Sequence, residues 1–255
     1  EKQRYHSFII EDKTIIAGGT DLLVKESVEK KEAVFLKDLY DFQGIYKDID
    51  YLSIGSGVTT EELFENHEFT SLINGIEKYR LRISSPQIRE IGTIGGNLCN
   101  ASPSGDLSVI FLSLNTILST NFNREILLKD FFIDYKKTAL MKNEAIVRIK
   151  VPIDWKGYGF CFEKISRRQD LDIAAVSISI VYKTEVTGKD IYMADFGMTV
   201  GGCAGIPLFL KKSSCFLKGK KISQENIYDL LEMIQEEITP ISDVRGGAGY
   251  RRLAV

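Results

Sequence analysis

Short apolar runs alternate with polar, helix-like segments between residues 14 and 65. Thr14–Ala17, Ala33–Leu36 and Tyr51–Val58 are typical of buried strands because they are apolar and rich in β-branched side chains. The segments after the first and third runs have helical character, and Thr59 and Glu62 have the spacing of a capping box. Strands that alternate with helices indicate an α/β unit.

The middle of the chain continues with longer apolar segments. The pattern predicts helices over residues 70–81 and 105–115, with a glycine-rich stretch between them. Strand-like sequence follows at 116–120 and again at 144–153.

The pattern changes after Pro152. Residues 157–166, 172–183 and 190–202 look like three consecutive long strands separated by polar turns, and 223–238 is an amphipathic helix. A run of strands followed by a helix indicates an α+β domain. We therefore expect two domains, residues 1–153 and 154–255.

Composition excludes several classes of function. A net charge of −2 and a pI of about 5.9 give no sign of a nucleic-acid surface. No apolar run approaches the roughly 18 residues that span a membrane. The four cysteines lie far apart without a CxxC pair, so neither an iron–sulfur cluster nor a zinc site is expected. Scattered cysteines are typical of a reducing compartment, which predicts a cytoplasmic protein.

Two glycine-rich segments are the candidate ligand-binding elements. Ala17–Asp21 (AGGTD) follows a strand and opens a helix, an arrangement that offers free amide groups and a helix dipole to an anion. Residues 91–106 contain four glycines and no lysine, arginine or histidine. Backbone amides can bind a pyrophosphate without a cation, so both segments suit a dinucleotide. Ordinary structural roles stay open: glycines in turns, Asn97 bonded to its own backbone, Asp106 as a helix cap.

Four stretches in order along the chain resemble one family. AGGTDLLV, SPQIREIGTIGGNLCNASPSGD, EKISRRQDLDIAAVSI and DVRGGAGYRRLA are similar to the FAD-binding medium subunit of molybdenum hydroxylases, the xanthine dehydrogenase and carbon monoxide dehydrogenase family. The resemblance implies an α+β protein. A FAD-binding domain of two α/β subdomains (vanillyl-alcohol-oxidase or PCMH type) would precede a small α+β domain. Against the family pattern, the N-terminal segment looks shortened and the last helix looks cut off at Val255.

The resemblance also implies a set of residues that bind non-covalent FAD. Both glycine segments would hold the pyrophosphate and ribityl region, Asp106 would bond FAD hydroxyls, and Ile146 would line the flavin. Lys164 would reach the ring and stabilise negative charge on it, although a surface lysine at a strand end is an equal alternative. The predicted FAD-binding residues are Ala17, Gly18, Gly19, Thr20, Asp21, Thr93, Ile94, Gly95, Gly96, Asn97, Asp106, Ile146 and Lys164.

The family's activity implies a place in a larger enzyme. A molybdopterin-binding large subunit would oxidise the substrate, and an iron–sulfur subunit with [2Fe–2S] clusters would deliver electrons to FAD. The flavin would pass them to NAD⁺ or another acceptor. No catalytic or metal-binding side chain is expected in this chain. The alternatives are a self-contained flavin reductase or oxidase of the same fold and a non-catalytic flavin-binding scaffold.

Overall fold

The computed structural model describes residues 13–24, 32–168 and 172–255, and they form helices and strands in mixed order. The strands are β1 (Thr14–Ile16), β2 (Ala33–Phe35), β3 (Ile45–Lys47), β4 (Tyr51–Gly55), β5 (Ile117–Thr120), β6 (Glu125–Leu127), β7 (Phe132–Asp134), β8 (Lys137–Thr138), β9 (Ile146–Pro152), β10 (Gly159–Ile165), β11 (Val176–Thr187), β12 (Asp190–Gly201) and β13 (Leu208–Phe209). The α-helices are α1 (Thr60–Glu65), α2 (His67–Thr70), α3 (Pro86–Ile91), α4 (Ile94–Cys99), α5 (Asp106–Ser113), α6 (Lys211–Leu217), α7 (Gln224–Glu237) and α8 (Ala248–Ala254).

Two sheets build the first part of the chain. β1 and β2 pair in parallel, and a five-stranded sheet has the order β3-β4-β9-β5-β6 with only antiparallel neighbours. β9 lies between β4 and β5 in this sheet although it is distant from β4 in the sequence. The predicted alternation of strands and helices therefore did not indicate this sheet. Of the helix predicted after Asp21, Leu22–Val24 forms a 3-10 turn, and residues 25–31 lie outside the described part.

Local helix signals gave mixed results. The capping box is confirmed: the Thr59 side chain accepts from the Glu62 amide, and the Glu62 carboxylate accepts from the Thr59 amide. A single helix over residues 70–81 is wrong. The chain turns at Gly75, whose φ is +87°, and continues as the 3-10 helix Glu77–Arg82. Glycine takes this left-handed conformation without steric cost, which ends the helical pattern there.

The three long strands predicted after Pro152 are confirmed as β10, β11 and β12, joined by the short β13 in an antiparallel sheet. The amphipathic helix predicted over 223–238 is α7. It buries Leu230 and Ile234 in a core that α6 and the sheet share.

The main hydrophobic core continues from one predicted domain into the other. Phe160 and Phe162 of β10 contact the Tyr79 ring edge-on, with centroids 5.6 and 5.7 Å apart. All three are buried in the cluster that also holds α5. α5 packs against β11 and β12, and its buried residues share one core cluster with those of β4, β5 and β9. A division at residue 153 stays a prediction.

In the described ranges no helix is long and apolar enough to cross a membrane.

Candidate functional site

The two glycine-rich segments, predicted separately, lie in direct contact. A Cβ atom added at Gly18 would overlap the carbonyl oxygen of Ile91, at the end of α3. One added at Gly96 would lie 3.6 Å from the Ala17 Cβ. Only glycine allows the first of these approaches, since any side chain at residue 18 would push the segments apart.

The first segment carries backbone donors that no described residue accepts from. Gly19 has a φ of +71°, and its carbonyl accepts from the Leu23 amide at 3.0 Å. The amides of Gly18, Gly19 and Thr20 have no hydrogen-bond partner in the part of the chain that the structure describes. Unbonded amides that follow one another before a helical turn are suited to an anion.

The second segment forms the start of helix α4 and not an open loop. Thr93 caps this helix, and its hydroxyl accepts from the Gly96 amide at 3.0 Å. The Ile94 amide donates to Val58 O at 3.0 Å, the Gly95 amide to Ser56 O at 2.9 Å, and the Asn97 amide to Thr93 O at 3.0 Å. These four amides bind the protein itself and are not free to bind a ligand.

Ser56 connects α4 to the central sheet and was missed by the sequence analysis. It is fully buried after β4, and its hydroxyl donates to Ile146 O at 2.6 Å. Its amide donates to Val147 O at 3.1 Å. Its carbonyl accepts from Gly95, where an added Cβ would lie 2.5 Å from the Ser56 Cβ. The small residues of SIGSGV were the only available signal, and they are equally typical of a turn.

Asp106 and Lys164 form a buried ion pair beside this junction. Asp106 is the first residue of α5, where Gly105 is the N-cap and no side chain caps the helix. Its Oδ2 lies 2.6 Å from Lys164 Nζ, which also donates to Arg82 O at 3.0 Å. The Lys164 side chain is only 6% exposed. The capping role for Asp106 and the surface role for Lys164 are therefore both wrong.

The second carboxylate oxygen of Asp106 is left without a partner. Asp106 Oδ1 is buried and accepts no hydrogen bond within the described residues. Burial raises the pKa of Asp106 above its usual value, and the charge of Lys164 and its hydrogen bond oppose this rise. An unsatisfied buried acceptor is costly unless a ligand donor reaches it.

Asn97 joins α4 to the beginning of α5. Its Oδ1 accepts a long hydrogen bond of 3.4 Å from the Ser108 hydroxyl. Gly105 leaves room for the Ser108 hydroxyl, because an added Cβ there would lie 3.0 Å from Ser108 Oγ. This contact connects the helix that begins at the second glycine segment to the first turns of α5, which carry Asp106.

The residues present fit a dinucleotide. Three amides without a partner among the described residues suit a pyrophosphate, and Asp106 Oδ1, which has no partner there either, suits a ligand hydroxyl. Lys164 supplies a fixed positive charge next to Asp106.

Family comparison decides the class. The model described as the FAD binding domain in molybdopterin dehydrogenase matches residues 5–154, and the CO dehydrogenase flavoprotein C-terminal domain matches 161–255. This chain belongs to the FAD-binding subunits of the molybdenum hydroxylases. It is a flavoprotein subunit of an oxidoreductase, and its cofactor is FAD.

Relatives of this flavoprotein subunit match along nearly its whole length. The glyceraldehyde dehydrogenase medium chain of Sulfolobus acidocaldarius is 27% identical over 247 residues, covering 94% of this chain and 85% of the relative. The nicotinate dehydrogenase FAD-subunit of Eubacterium barkeri is 28% identical over 252 residues, covering 94% and 83%. In Arabidopsis thaliana xanthine dehydrogenase 1, which is 26% identical, the match takes up only 18% of the protein.

Solved structures confirm the fold class. A chain of carbon monoxide dehydrogenase from Hydrogenophaga pseudoflava superposes with a TM-score of 0.89 at 21% identity, covering 100% of this chain and 91% of that one. A chain of the reconstituted enzyme from Oligotropha carboxidovorans gives 0.86 at 25% identity, covering 96% and 86%. A FAD-binding region followed by a smaller C-terminal domain is therefore the architecture of this subunit.

Proposed function

We propose that this subunit transfers electrons within a molybdenum hydroxylase complex. An iron–sulfur subunit delivers them from [2Fe–2S] clusters, a molybdopterin-binding large subunit oxidises the substrate, and NAD⁺ or another acceptor takes them up. Relatives named medium chain, FAD-subunit and subunit alpha of a dehydrogenase complex support a hetero-oligomer of this kind. We place the complex in the cytoplasm.

The observation that carries this proposal is the pairing of buried Asp106 with Lys164, which leaves Asp106 Oδ1 without a partner among the described residues. The amides of Gly18–Thr20, which no described residue accepts from, support it. FAD, when bound, accepts electrons singly and releases them in pairs, a chemistry that no side chain of this protein supplies. The amides of Gly18–Thr20 would bind its pyrophosphate, and Asp106 Oδ1 would accept from a FAD hydroxyl. Lys164 would supply positive charge to the flavin.

The remaining predicted residues have supporting roles in this site. Thr93, Ile94, Gly95, Gly96 and Asn97 form the helix start that packs against the first segment, with Gly96 facing Ala17. Asp21 lies at the exposed end of the first segment. Ile146, whose carbonyl is fixed by Ser56, contributes the wall of the site on β9.

Binding is proposed to be non-covalent. A covalent flavin needs a nucleophilic side chain beside the ring. Neither glycine segment presents a histidine or a cysteine in the usual context of a covalent flavin, and His67 lies on α2. His6 lies outside the described residues. Acid precipitation is expected to leave the flavin in the supernatant, and a yellow pellet would argue for a covalent bond.

The partner requirement rests on the cysteines. The whole sequence contains four, at scattered positions, and the described structure pairs none of them in a disulfide. A [2Fe–2S] cluster takes four cysteine ligands that lie close together, so we infer that these residues do not supply the clusters and that a partner subunit does.

Separate and joint expression tests the proposal. The subunit alone is expected to hold FAD but to oxidise no purine, aldehyde or aromatic acid. Co-expression with the iron–sulfur and molybdenum subunits encoded beside it is expected to restore substrate oxidation. If the isolated chain, free of partners, oxidises such substrates, it is a self-contained flavoenzyme.

A further inference from the structure

The C-terminal stretch DVRGGAGYRR has no role in the site described above, yet it contains the most deeply buried cation of the described chain. Arg251, on α8, is 1% exposed. Its Nη1 donates to Gly202 O at 2.8 Å, and its Nη2 donates to Asp243 Oδ1 at 2.6 Å. A buried guanidinium is costly to desolvate and persists where its partners hold it in one geometry.

Gly202 also contacts the loop that precedes α5. Its amide donates to Pro103 O at 2.8 Å, three residues before Asp106. Gly202 has a φ of +78°, and an added Cβ would overlap the carbonyl oxygen of Ala175. The turn therefore has one conformation, in which its carbonyl faces Arg251 and its amide faces Pro103.

The same part of the sheet carries Lys164. In the register of β10, β11 and β12, Lys164 is opposite Ser177, and Ser177 is opposite Gly201. A Cβ added at Gly201 would lie 2.8 Å from Val109 Cγ2 and 3.1 Å from Pro103 O, so α5 packs directly on the end of β12. The positions of Asp106 and Lys164 are both set by contacts with this end of the sheet.

We propose that Arg251 is a positioning residue for the flavin site. By holding the Gly202 turn, it fixes the loop at Pro103 and the first turn of α5 where Asp106 meets Lys164. It does not touch the cofactor. The inference rests on the proposed function, because it takes the Asp106–Lys164 pair to be part of the FAD site.

Arg252 offers a matched control on the same helix. Its Nη1 donates to Gln235 O at 2.8 Å and its Nη2 to Ile238 O at 3.2 Å, so it attaches α8 to α7 and makes no bond to the Gly202 turn. Arg251→Met and Arg252→Met each remove an arginine that docks α8. Only the first also removes the bond to the Gly202 turn.

The experiment measures FAD affinity, the visible spectrum of bound FAD and melting temperature in full-length wild type and both variants. We expect Arg251→Met to weaken FAD binding between about 10-fold and 100-fold and to alter the spectrum. Arg252→Met is expected to lower the melting temperature but to leave affinity within about threefold of wild type. Arg251→Lys, which keeps the charge but not the two-pronged geometry, is expected to recover only part of the affinity.

Equal FAD affinity in wild type and folded Arg251→Met, or equal loss in both methionine variants, would overturn the proposal. If Arg251→Met does not fold, Arg251→Lys decides, and wild-type affinity in it would also overturn the proposal. Asp106→Asn separates this failure from that of the proposed function. If it leaves affinity unchanged, the site assignment itself is wrong.

Discussion

Lys164 Nζ lies 2.6 Å from Asp106 Oδ2, and this pair connects strand β10 of the C-terminal sheet to the first turn of α5. The two residues are 58 positions apart in the sequence. One carboxylate oxygen holds the lysine while the other has no partner in the described structure. Asp106 thus holds α5 against β10 through one carboxylate oxygen and keeps the other as an acceptor for a ligand.

Asp106→Asn is expected to weaken FAD binding by about tenfold or more. A hydrogen bond to a charged acceptor contributes roughly 1.5–3 kcal/mol, and the amide also leaves Lys164 without its counter-charge. Titration of the flavin-free protein with FAD, followed by flavin fluorescence, measures the change. A lower melting temperature with unchanged affinity would show that the pair is purely structural.

Thr20→Pro is expected to reduce FAD affinity, whereas Thr20→Ala is not. Proline removes one of the three free amides and is tolerated at the start of a helical turn, while alanine keeps the amide and removes only the hydroxyl. The loss of one donor to a phosphate corresponds to about 1.5–3 kcal/mol. The same fluorescence titration compares the two variants, and equal affinities would remove this segment from the pyrophosphate site.

Gly95→Val is expected to destabilise the whole protein rather than FAD binding alone. An added Cβ would lie 2.5 Å from the Ser56 Cβ and 2.7 Å from the Ser56 carbonyl oxygen, which accepts from the Gly95 amide. Overpacking of this kind costs roughly 1–3 kcal/mol. Chemical denaturation of flavin-free protein measures it. Gly249→Ala is the control, because nothing lies within 4 Å of its added Cβ, and a stable, flavin-free Gly95→Val would contradict the packing role.

Glu61 is expected to make stability depend on acid pH. Its carboxylate accepts from Arg80 and, at 2.6 Å, from Arg89 Nε. The Arg80 hydrogen bond holds the pKa of Glu61 below its usual value of 4.5 despite burial. The resulting stabilisation is present above pH 4.5 and is lost as pH falls through the lowered pKa.

Glu61→Gln therefore separates the charge from the packing. It is expected to cost about 3 kcal/mol at neutral pH, because Arg89 is left buried without its counter-charge. It is also expected to flatten the loss of stability below pH 4.5. Urea denaturation at a series of pH values measures both effects, and parallel curves for the two proteins would contradict the assignment.

The sequence predicted those elements whose signals are local. The capping box at Thr59 and Glu62 and the strands β10, β11 and β12 are present as expected, because each depends on neighbouring side chains or on a sustained pattern. The five-stranded sheet was not predictable in this way. Its central strand β9 pairs with β4 across about 95 residues, a long-range contact that no window of sequence records.

The site was predictable as a set of residues but not as an arrangement. Glycines were expected to expose amides in both segments, yet those of Ile94–Asn97 bind Thr93 and the turn at Ser56 and Val58. Glycine-rich sequence does not distinguish an anion loop from close helix packing, because both require the absence of a side chain. The small residues around Ser56 do not distinguish its role from that of a turn, since this role arises only when β4, β9 and α4 meet.

Rapid mixing tests the proposed electron transfer most directly. The FAD-loaded subunit is mixed without oxygen with its reduced iron–sulfur partner, and separately with the substrates of the intact complex, while flavin absorbance is followed. We predict that the reduced partner bleaches the flavin. We also predict that no substrate bleaches it in the absence of the other subunits. Bleaching by a substrate with this chain alone, or none by the reduced partner, would contradict the assignment.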